Sequence, residues 1–194
     1  MMRHLPNILT IFRVLASLVV PLLLFFGEDN WRLTALVIFA AASISDWLDG
    51  MIARQLNAIS TLGRMLDPIA DKLLIAGCMI ALIALDNWGW VLFVPALMIL
   101  LREVFVSGLR EFMAGQLVLH VTMMAKFKTT AQLIALGLAI VTPLTPRDWM
   151  ISEATIAAFW IAAFMTVWTG WDYFTKAMAY STANSGGVGD NTND

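Results

Sequence analysis

The sequence predicts an all-α integral membrane protein. Of its 194 residues, 60% are hydrophobic and only 13% are charged, whereas soluble domains are about one-quarter charged and under half apolar. A helix that spans a bilayer needs roughly 20 mostly apolar residues, and stretches of that kind recur six times. Lys and Arg are also unevenly divided between the connecting segments, as in a chain with one fixed orientation in the membrane.

Each of the six apolar stretches is predicted to form one transmembrane helix. The connectors between them contain Gly, Pro, Asn and charged residues, which end helices and favour turns. The first stretch is long and lacks a small-residue cleavage site, so we expect it to be retained as a helix. The predicted helices cover residues 8–27, 33–53, 66–85, 88–110, 129–145 and 153–176.

The positive charges predict that both termini face the cytoplasm. With the N-terminus inside, only Arg32 and Arg147 fall on the outer side. The cations on the inner side, which the positive-inside rule favours, are Arg3, Arg54, Arg64, Arg110, Lys126, Lys128 and Lys176. Residues 1–180 are expected to form a single domain and the polar residues 181–194 a disordered tail. The chain has no basic stripe that would indicate nucleic-acid binding.

Four aspartates lie where the second and third predicted helices approach the cytoplasm. Asp46 and Asp49 are three residues apart, and Asp67 and Asp71 are four apart, so each pair shares one helix face. Four Asp residues at the bilayer centre would cost on the order of 10–14 kcal/mol, so compensating cations are expected. Clustered carboxylates suit Mg²⁺ or Mn²⁺, and two such ions would suit a site that handles phosphoryl groups.

The aspartates belong to a longer pattern, D-x2-D-G-x2-A-R-x8-G-x3-D-x3-D. Its eight fixed positions are Asp46, Asp49, Gly50, Ala53, Arg54, Gly63, Asp67 and Asp71. This pattern resembles the signature of the CDP-alcohol phosphotransferase family. The resemblance implies a homodimer of six-helix protomers in a bacterial inner membrane, each protomer with a polar cavity that opens to the cytoplasm.

The resemblance also implies roles for the signature residues. A first metal ion would be held by Asp46, Asp49 and Asp67, and a second by Asp46, Asp67 and Asp71. Asp71 is the expected general base, with a purely metal-binding role as the alternative. The residues expected to bind the CDP-lipid donor are Asp49, Gly50, Ala53, Arg54 and Gly63.

Three further segments, residues 7–13, 102–112 and 126–132, resemble those of phosphatidylglycerophosphate synthases. The implied reaction transfers phosphatidyl from CDP-diacylglycerol to sn-glycerol 3-phosphate and releases CMP. The acceptor phosphate would need a cationic pocket, and the candidate residues are Arg102, Arg110, Lys126 and Lys128. Pairing of the two arginines with Glu103 or Glu111 is the alternative explanation for their presence.

Other functions stay open at this stage. The same chemistry could use inositol phosphate or phosphatidylglycerol as the acceptor, although a basic cluster favours a phosphorylated acceptor. A divalent-cation transporter could use the acids as an ion path, but the acids cluster at one end of the predicted helices and the motif is not repeated in inverted form. A structural membrane subunit would leave the acidic cluster unexplained.

Overall fold

The computed structural model describes residues 5–56, 61–85, 88–113, 123–146 and 150–185. A short 3₁₀ helix, Thr142–Leu144, follows the fifth of the long helices. The described residues therefore confirm the all-α class. The long helices are α1 (Leu5–Phe26), α2 (Asp29–Leu56), α3 (Thr61–Leu85), α4 (Gly89–Phe112), α5 (Met123–Val141) and α6 (Ile151–Ser185).

Several helices extend beyond the apolar stretches that predicted them. Helix α3 begins at Thr61 rather than at residue 66, and α6 ends at Ser185 rather than at residue 176. Apolar composition marks only the part of a helix that suits lipid, whereas backbone hydrogen bonds carry the helix on into polar turns. The predicted tail is therefore wrong over residues 181–185, which are helical, and residues 186–194 lie outside the described part of the chain.

Four helices are long and apolar enough to cross a membrane, among the residues that the structure describes. They contain the segments Ile8–Phe26, Gly89–Phe112, Phe127–Leu144 and Ile151–Tyr180. Helices α2 and α3 carry the charged residues of the aspartate signature, which lower their hydropathy. The prediction of six spans is thus supported for four helices, and for α2 and α3 it stays a prediction.

The helices pack in two groups that share one interior. Helix α1 packs along α2 and α3, α6 packs along α4 and α5, and contacts of α5 with α2 and α3 join the groups. Large apolar side chains fill the interior, including Leu24, Met79 and Phe159, which are at most 1% exposed. The outer surface is also apolar, with Leu22 and Phe164 more than 60% exposed. A surface of this kind suits lipid tails better than water.

Helices α1 and α3 approach each other closely at Gly77. A Cβ atom on this residue would lie 2.7 Å from Cγ of Pro21 and 3.4 Å from the carbonyl oxygen of Ser17. Only glycine therefore fits at this crossing without a shift of α1. The close approach brings Arg13 of α1 within reach of Asp71 of α3.

Candidate active site

A polar cavity of about 250 Å³ lies between α3, α4, α5 and α6. Helical periodicity explains why these side chains share it, because residues three or four positions apart lie on one face. Its α4 wall comes from Arg102, Glu103, Val106, Ser107 and Arg110. The other lining residues are Asp71, Lys72 and Ile75 of α3, Lys128, Thr129 and Gln132 of α5, and Tyr173 of α6.

Arg102 is held in place by contacts on two helices. Its Nη1 donates a hydrogen bond to Oε1 of Glu103 at 3.1 Å, and its Nη2 donates to Oγ1 of Thr169 at 3.1 Å. Lys128 of α5 donates to the same Glu103 oxygen. One carboxylate thus partners two cations from different helices, which makes removal of any of the three charges costly in a buried setting.

One helical turn after Lys128, a pair of hydrogen-bonded, uncharged side chains joins α5 to α6. Nε2 of Gln132 donates to Oγ1 of Thr166 at 3.0 Å. Both side chains are at most 1% exposed. Buried polar groups need such partners, since an unpaired one costs about 1–3 kcal/mol. The pair is one of the contacts that hold α6, the helix of Tyr173, against α5.

Arg110 is oriented by Tyr173, which is only 3% exposed. Its Nη2 donates to the Tyr173 hydroxyl at 2.8 Å, and its guanidinium carbon lies 4.9 Å from the centre of the tyrosine ring. The guanidinium of Arg102 lies 5.9 Å from the same ring. The ring therefore contacts two arginines through cation–π interactions and keeps both at the cavity.

Asp71 lies where the cavity meets a second, smaller cleft. It lines both spaces, and the smaller one is also bordered by Ala42 and Ser43 of α2. Nη1 of Arg13 donates to Oδ1 of Asp71 at 3.1 Å, and the Arg13 side chain is 2% exposed whereas that of Asp71 is 39% exposed. Asp71 is thus an anchored carboxylate that still opens to the cavity.

The charges that line this cavity favour an anion. Lys72 is a further cation of the cavity, in addition to Arg102, Arg110 and Lys128. Its ammonium donates a hydrogen bond to Oγ of Ser107. Among the described residues, four cationic and two anionic side chains face the space, a formal surplus of two positive charges. A cleft with such a surplus in surroundings of low dielectric constant attracts anionic ligands.

The structure brings together part of the predicted site. Asp71, Arg102, Arg110 and Lys128 line one cavity, as predicted from residues far apart in sequence. Of the alternative pairings, Arg102 does bond Glu103, while Arg110 bonds Tyr173. The remaining predicted site residues belong to α2, α3 or α5 but their side chains lie outside the described part: Asp46, Asp49, Gly50, Ala53, Arg54, Gly63, Asp67 and Lys126.

Sequence reasoning missed several lining and supporting residues. Ser107 lies three residues from Arg110, and Gln132 lies four residues from Lys128, so helical spacing could have indicated them. Tyr173 and Thr169 carry no comparable signal, because they lie on α6, far in sequence from the arginines they contact. Arg13 lies in residues 7–13, which resemble a segment of the phosphatidylglycerophosphate synthases. Nothing in the neighbouring sequence indicates that its partner is Asp71.

A helical membrane protein whose cavity combines clustered cations with a partly open carboxylate has the features expected of an enzyme that acts on phosphorylated substrates. The sequence profile of the CDP-alcohol phosphatidyltransferase family matches residues 3–168. The chain belongs to this family, which confirms the resemblance of its aspartate signature. Its enzymatic class is therefore that of the phosphatidyltransferases.

Individual relatives are similar over almost their whole length. A protein of Rickettsia typhi is 40% identical over 180 residues, which cover 92% of this chain and 99% of the relative. Proteins of Cereibacter sphaeroides and Escherichia coli K12 are each 36% identical, over 90% and 91% of this chain and 96% of each relative. All three are named CDP-diacylglycerol–glycerol-3-phosphate 3-phosphatidyltransferase.

Proposed function

We propose that this protein transfers phosphatidyl from CDP-diacylglycerol to sn-glycerol 3-phosphate, with release of CMP and formation of phosphatidylglycerophosphate. The names of relatives that are 36–40% identical support this reaction. The observation that carries the proposal is the cavity with a surplus of two positive charges that reaches Asp71. A phosphate monoester carries close to two negative charges at neutral pH, and so complements that surplus.

In this proposal the acceptor phosphate binds among the cations of the cavity. Arg102 and Arg110 contribute directed N–H donors, which suit phosphate oxygens. Lys128 adds charge from α5, and Lys126 is proposed to add charge from the same helix. Bound in this way, the glycerol part of the acceptor extends towards α3, where Asp71 borders the cavity.

Asp71 acts as the general base. Its carboxylate accepts the proton of the acceptor hydroxyl as that oxygen attacks the phosphorus that carries the diacylglycerol. A new P–O bond forms, the pyrophosphate P–O bond breaks, and CMP leaves with the electron pair of that bond. The transfer is direct, without a covalent enzyme intermediate. The Arg13 bond at 3.1 Å keeps Asp71 oriented for this step.

Divalent metal ions, two Mg²⁺ or Mn²⁺, are proposed to be held by Asp46, Asp49, Asp67 and Asp71. The donor set fits, because carboxylate oxygens are hard ligands, and the anchored, partly open carboxylate of Asp71 suits the same purpose. Such ions, when bound, neutralise the pyrophosphate and stabilise the leaving CMP. The residues proposed to bind the CDP-lipid are Asp49, Gly50, Ala53, Arg54 and Gly63.

The proposed setting is the bacterial inner membrane. The protein would cross it six times, with both termini and the active site on the cytoplasmic side, as the distribution of Lys and Arg predicts. We further propose that residues 1–180 form one domain and that two protomers form a homodimer. Helix α6 continues past the end of this range to Ser185.

The cavity argues against the other functions. Phosphatidylglycerol offers only a phosphodiester with a single negative charge, which matches the two-charge surplus less well. A cation transporter would need acids along the whole span, whereas the acids of this sequence are predicted to cluster at one end of their helices. Inositol phosphate is also a phosphate monoester, and it is the second candidate acceptor.

An acceptor panel tests the proposal directly. Purified protein is supplied with CDP-diacylglycerol and Mg²⁺, and CMP release is measured with sn-glycerol 3-phosphate, inositol phosphate, phosphatidylglycerol and free glycerol. We expect rapid release with glycerol 3-phosphate, and slow release with glycerol, which lacks the phosphate. A preference for glycerol or phosphatidylglycerol would refute the proposed acceptor.

A further inference from the structure

Gly170 of α6 lies directly against the side chain of Arg102. A Cβ atom on Gly170 would be 2.9 Å from Cγ of Arg102, 3.1 Å from its Nε and 3.6 Å from its Cδ. The first distance is shorter than a nonbonded contact between carbon atoms allows. The aliphatic stem of Arg102 therefore passes over the α6 backbone at Gly170, where no side chain blocks it.

Arg102 has little freedom to move away from an added methyl group. Its guanidinium is bonded to Glu103 and to Thr169, the residue that precedes Gly170. Thr169 and Gly170 therefore act on different parts of Arg102. Thr169 accepts a hydrogen bond from its guanidinium, and Gly170 leaves space for its aliphatic stem. The Arg102 side chain is 10% exposed.

The two spaces beside Arg102 have opposite character. On one side is the polar cavity, and on the other is an apolar groove of about 980 Å³ between α4 and α6, which Arg102 and Gly170 both border. A displaced stem would move either into the cavity, where the acceptor phosphate is proposed to bind, or into the groove, away from Thr169. Both movements take the guanidinium out of its bonded position.

We propose that Gly170 is a positioning residue, which sets the place of the Arg102 guanidinium in the acceptor-phosphate site. The inference rests on the proposed function, because it assigns Arg102 to the acceptor. Glycine is less favourable than alanine inside a helix, and a glycine kept there commonly has a packing reason. Here that reason is the passage of Arg102.

The test is the kinetics of Gly170→Ala with acceptor and donor varied separately. The KM for glycerol 3-phosphate should rise about tenfold or more, which corresponds to the loss of one charge-assisted hydrogen bond. The KM for CDP-diacylglycerol should change by less than about twofold, since the effect is confined to acceptor binding. A purely structural role would reduce the amount of active protein and leave both KM values unchanged.

Two other glycines provide matched controls. Within the part of the chain that the structure describes, Gly108 of α4 has no atom within 4 Å of an added Cβ, and at Gly137 of α5 the nearest atom is Cε1 of Phe39 at 3.9 Å. Gly108→Ala and Gly137→Ala should therefore leave the KM for glycerol 3-phosphate unchanged. A rise of the same size in either control would overturn the inference.

A double-mutant cycle shows whether the effect passes through Arg102. In the Arg102→Ala background, Gly170→Ala should have no further effect on acceptor KM, because the colliding stem is gone. An equal rise in both backgrounds would contradict the proposal. If Gly170→Ala alone folds poorly, the double variant should be as stable as Arg102→Ala alone, and a double variant that is less stable than Arg102→Ala would also overturn the proposal.

Thermal unfolding separates this inference from the proposed function. The Tm of the wild type, the two single variants and the double variant is measured in detergent, with and without added inorganic phosphate. Phosphate should raise the Tm of the wild type more than that of Gly170→Ala, and raise it equally in Arg102→Ala and the double variant. An equal rise in the wild type and Gly170→Ala overturns the inference, whereas a wild type that is inactive on glycerol 3-phosphate refutes the proposed function.

Discussion

Arg13 and Asp71, 58 residues apart in sequence, are joined by a bond of 3.1 Å between Nη1 and Oδ1. The arginine is buried at 2% exposure, whereas the aspartate opens to the cavity at 39%. The buried cation binds one carboxylate oxygen, and part of the carboxylate remains open to the cavity. It orients the carboxylate and leaves room in front of it for a substrate.

Removal of this cation should reduce turnover. We expect Arg13→Ala to lower kcat by about tenfold or more, because a poorly oriented base loses much of its effect. Stability should also fall by about 1–3 kcal/mol, the cost of a lost charged hydrogen bond with one buried partner. Steady-state kinetics and thermal unfolding measure the two effects, and Arg13→Lys should recover part of each.

Lys176 provides the matched control for that variant. It also forms an ion pair, with Asp172 at 2.7 Å, but the two side chains are 50% and 44% exposed. Lys176→Ala should leave kcat unchanged and alter stability by less than about 1 kcal/mol. If Arg13→Ala lowers kcat and stability as little as Lys176→Ala does, Arg13 does not support Asp71 as the base.

Asp71→Asn tests the base itself. The amide keeps the shape of the side chain but cannot take a proton at the attacking step, so CMP release should be abolished. The Tm should show that the protein remains folded. Turnover close to that of the wild type would disprove the assignment of Asp71 as base.

Metal removal tests the proposed carboxylate site. Treatment with a chelator should stop CMP release, and added Mg²⁺ or Mn²⁺ should restore it, because both ions prefer oxygen ligands. The measurement is activity against free metal concentration, with Ca²⁺ as a comparison ion. Turnover that persists in excess chelator is the contrary outcome.

Arg110 and Tyr173 test the acceptor pocket. Arg110→Ala should raise the KM for glycerol 3-phosphate by about tenfold to a hundredfold, since a bond to a charged group contributes about 1.5–3 kcal/mol. Tyr173→Phe keeps the ring under the guanidinium and loses only the 2.8 Å bond from Arg110, so its effect should be smaller. Equal loss of donor and acceptor binding in Arg110→Ala would remove the case for a dedicated pocket.

The sequence allowed the helical class, the family and the cationic character of the cavity to be predicted. These properties depend on composition and on local spacing, such as the four-residue step from Asp67 to Asp71. Arg102, Arg110 and Lys128 were predicted to share a site because all three are expected near one end of their helices. In the structure these three residues line one cavity, and their role in binding the acceptor stays a prediction.

The partners of these cations could not be predicted in the same way. Thr169 meets Arg102 across 67 positions and Tyr173 meets Arg110 across 63. Such contacts depend on how α6 is rotated against α4 and α5, which is set by many small packing contacts at once. The space for the Arg102 stem depends on the absence of one methyl group at Gly170, and no periodic pattern shows this.

The division of the cavity between helices has a consequence for evolution and design. The cationic wall comes mainly from α4 and α5, whereas Asp71 comes from α3, which shares the aspartate signature with α2. In the proposed function, acceptor choice and transfer chemistry are therefore encoded in different stretches of the gene. Variation or directed mutagenesis can therefore be limited to residues 102–173 when enzymes that attach phosphatidyl groups to new alcohols are sought.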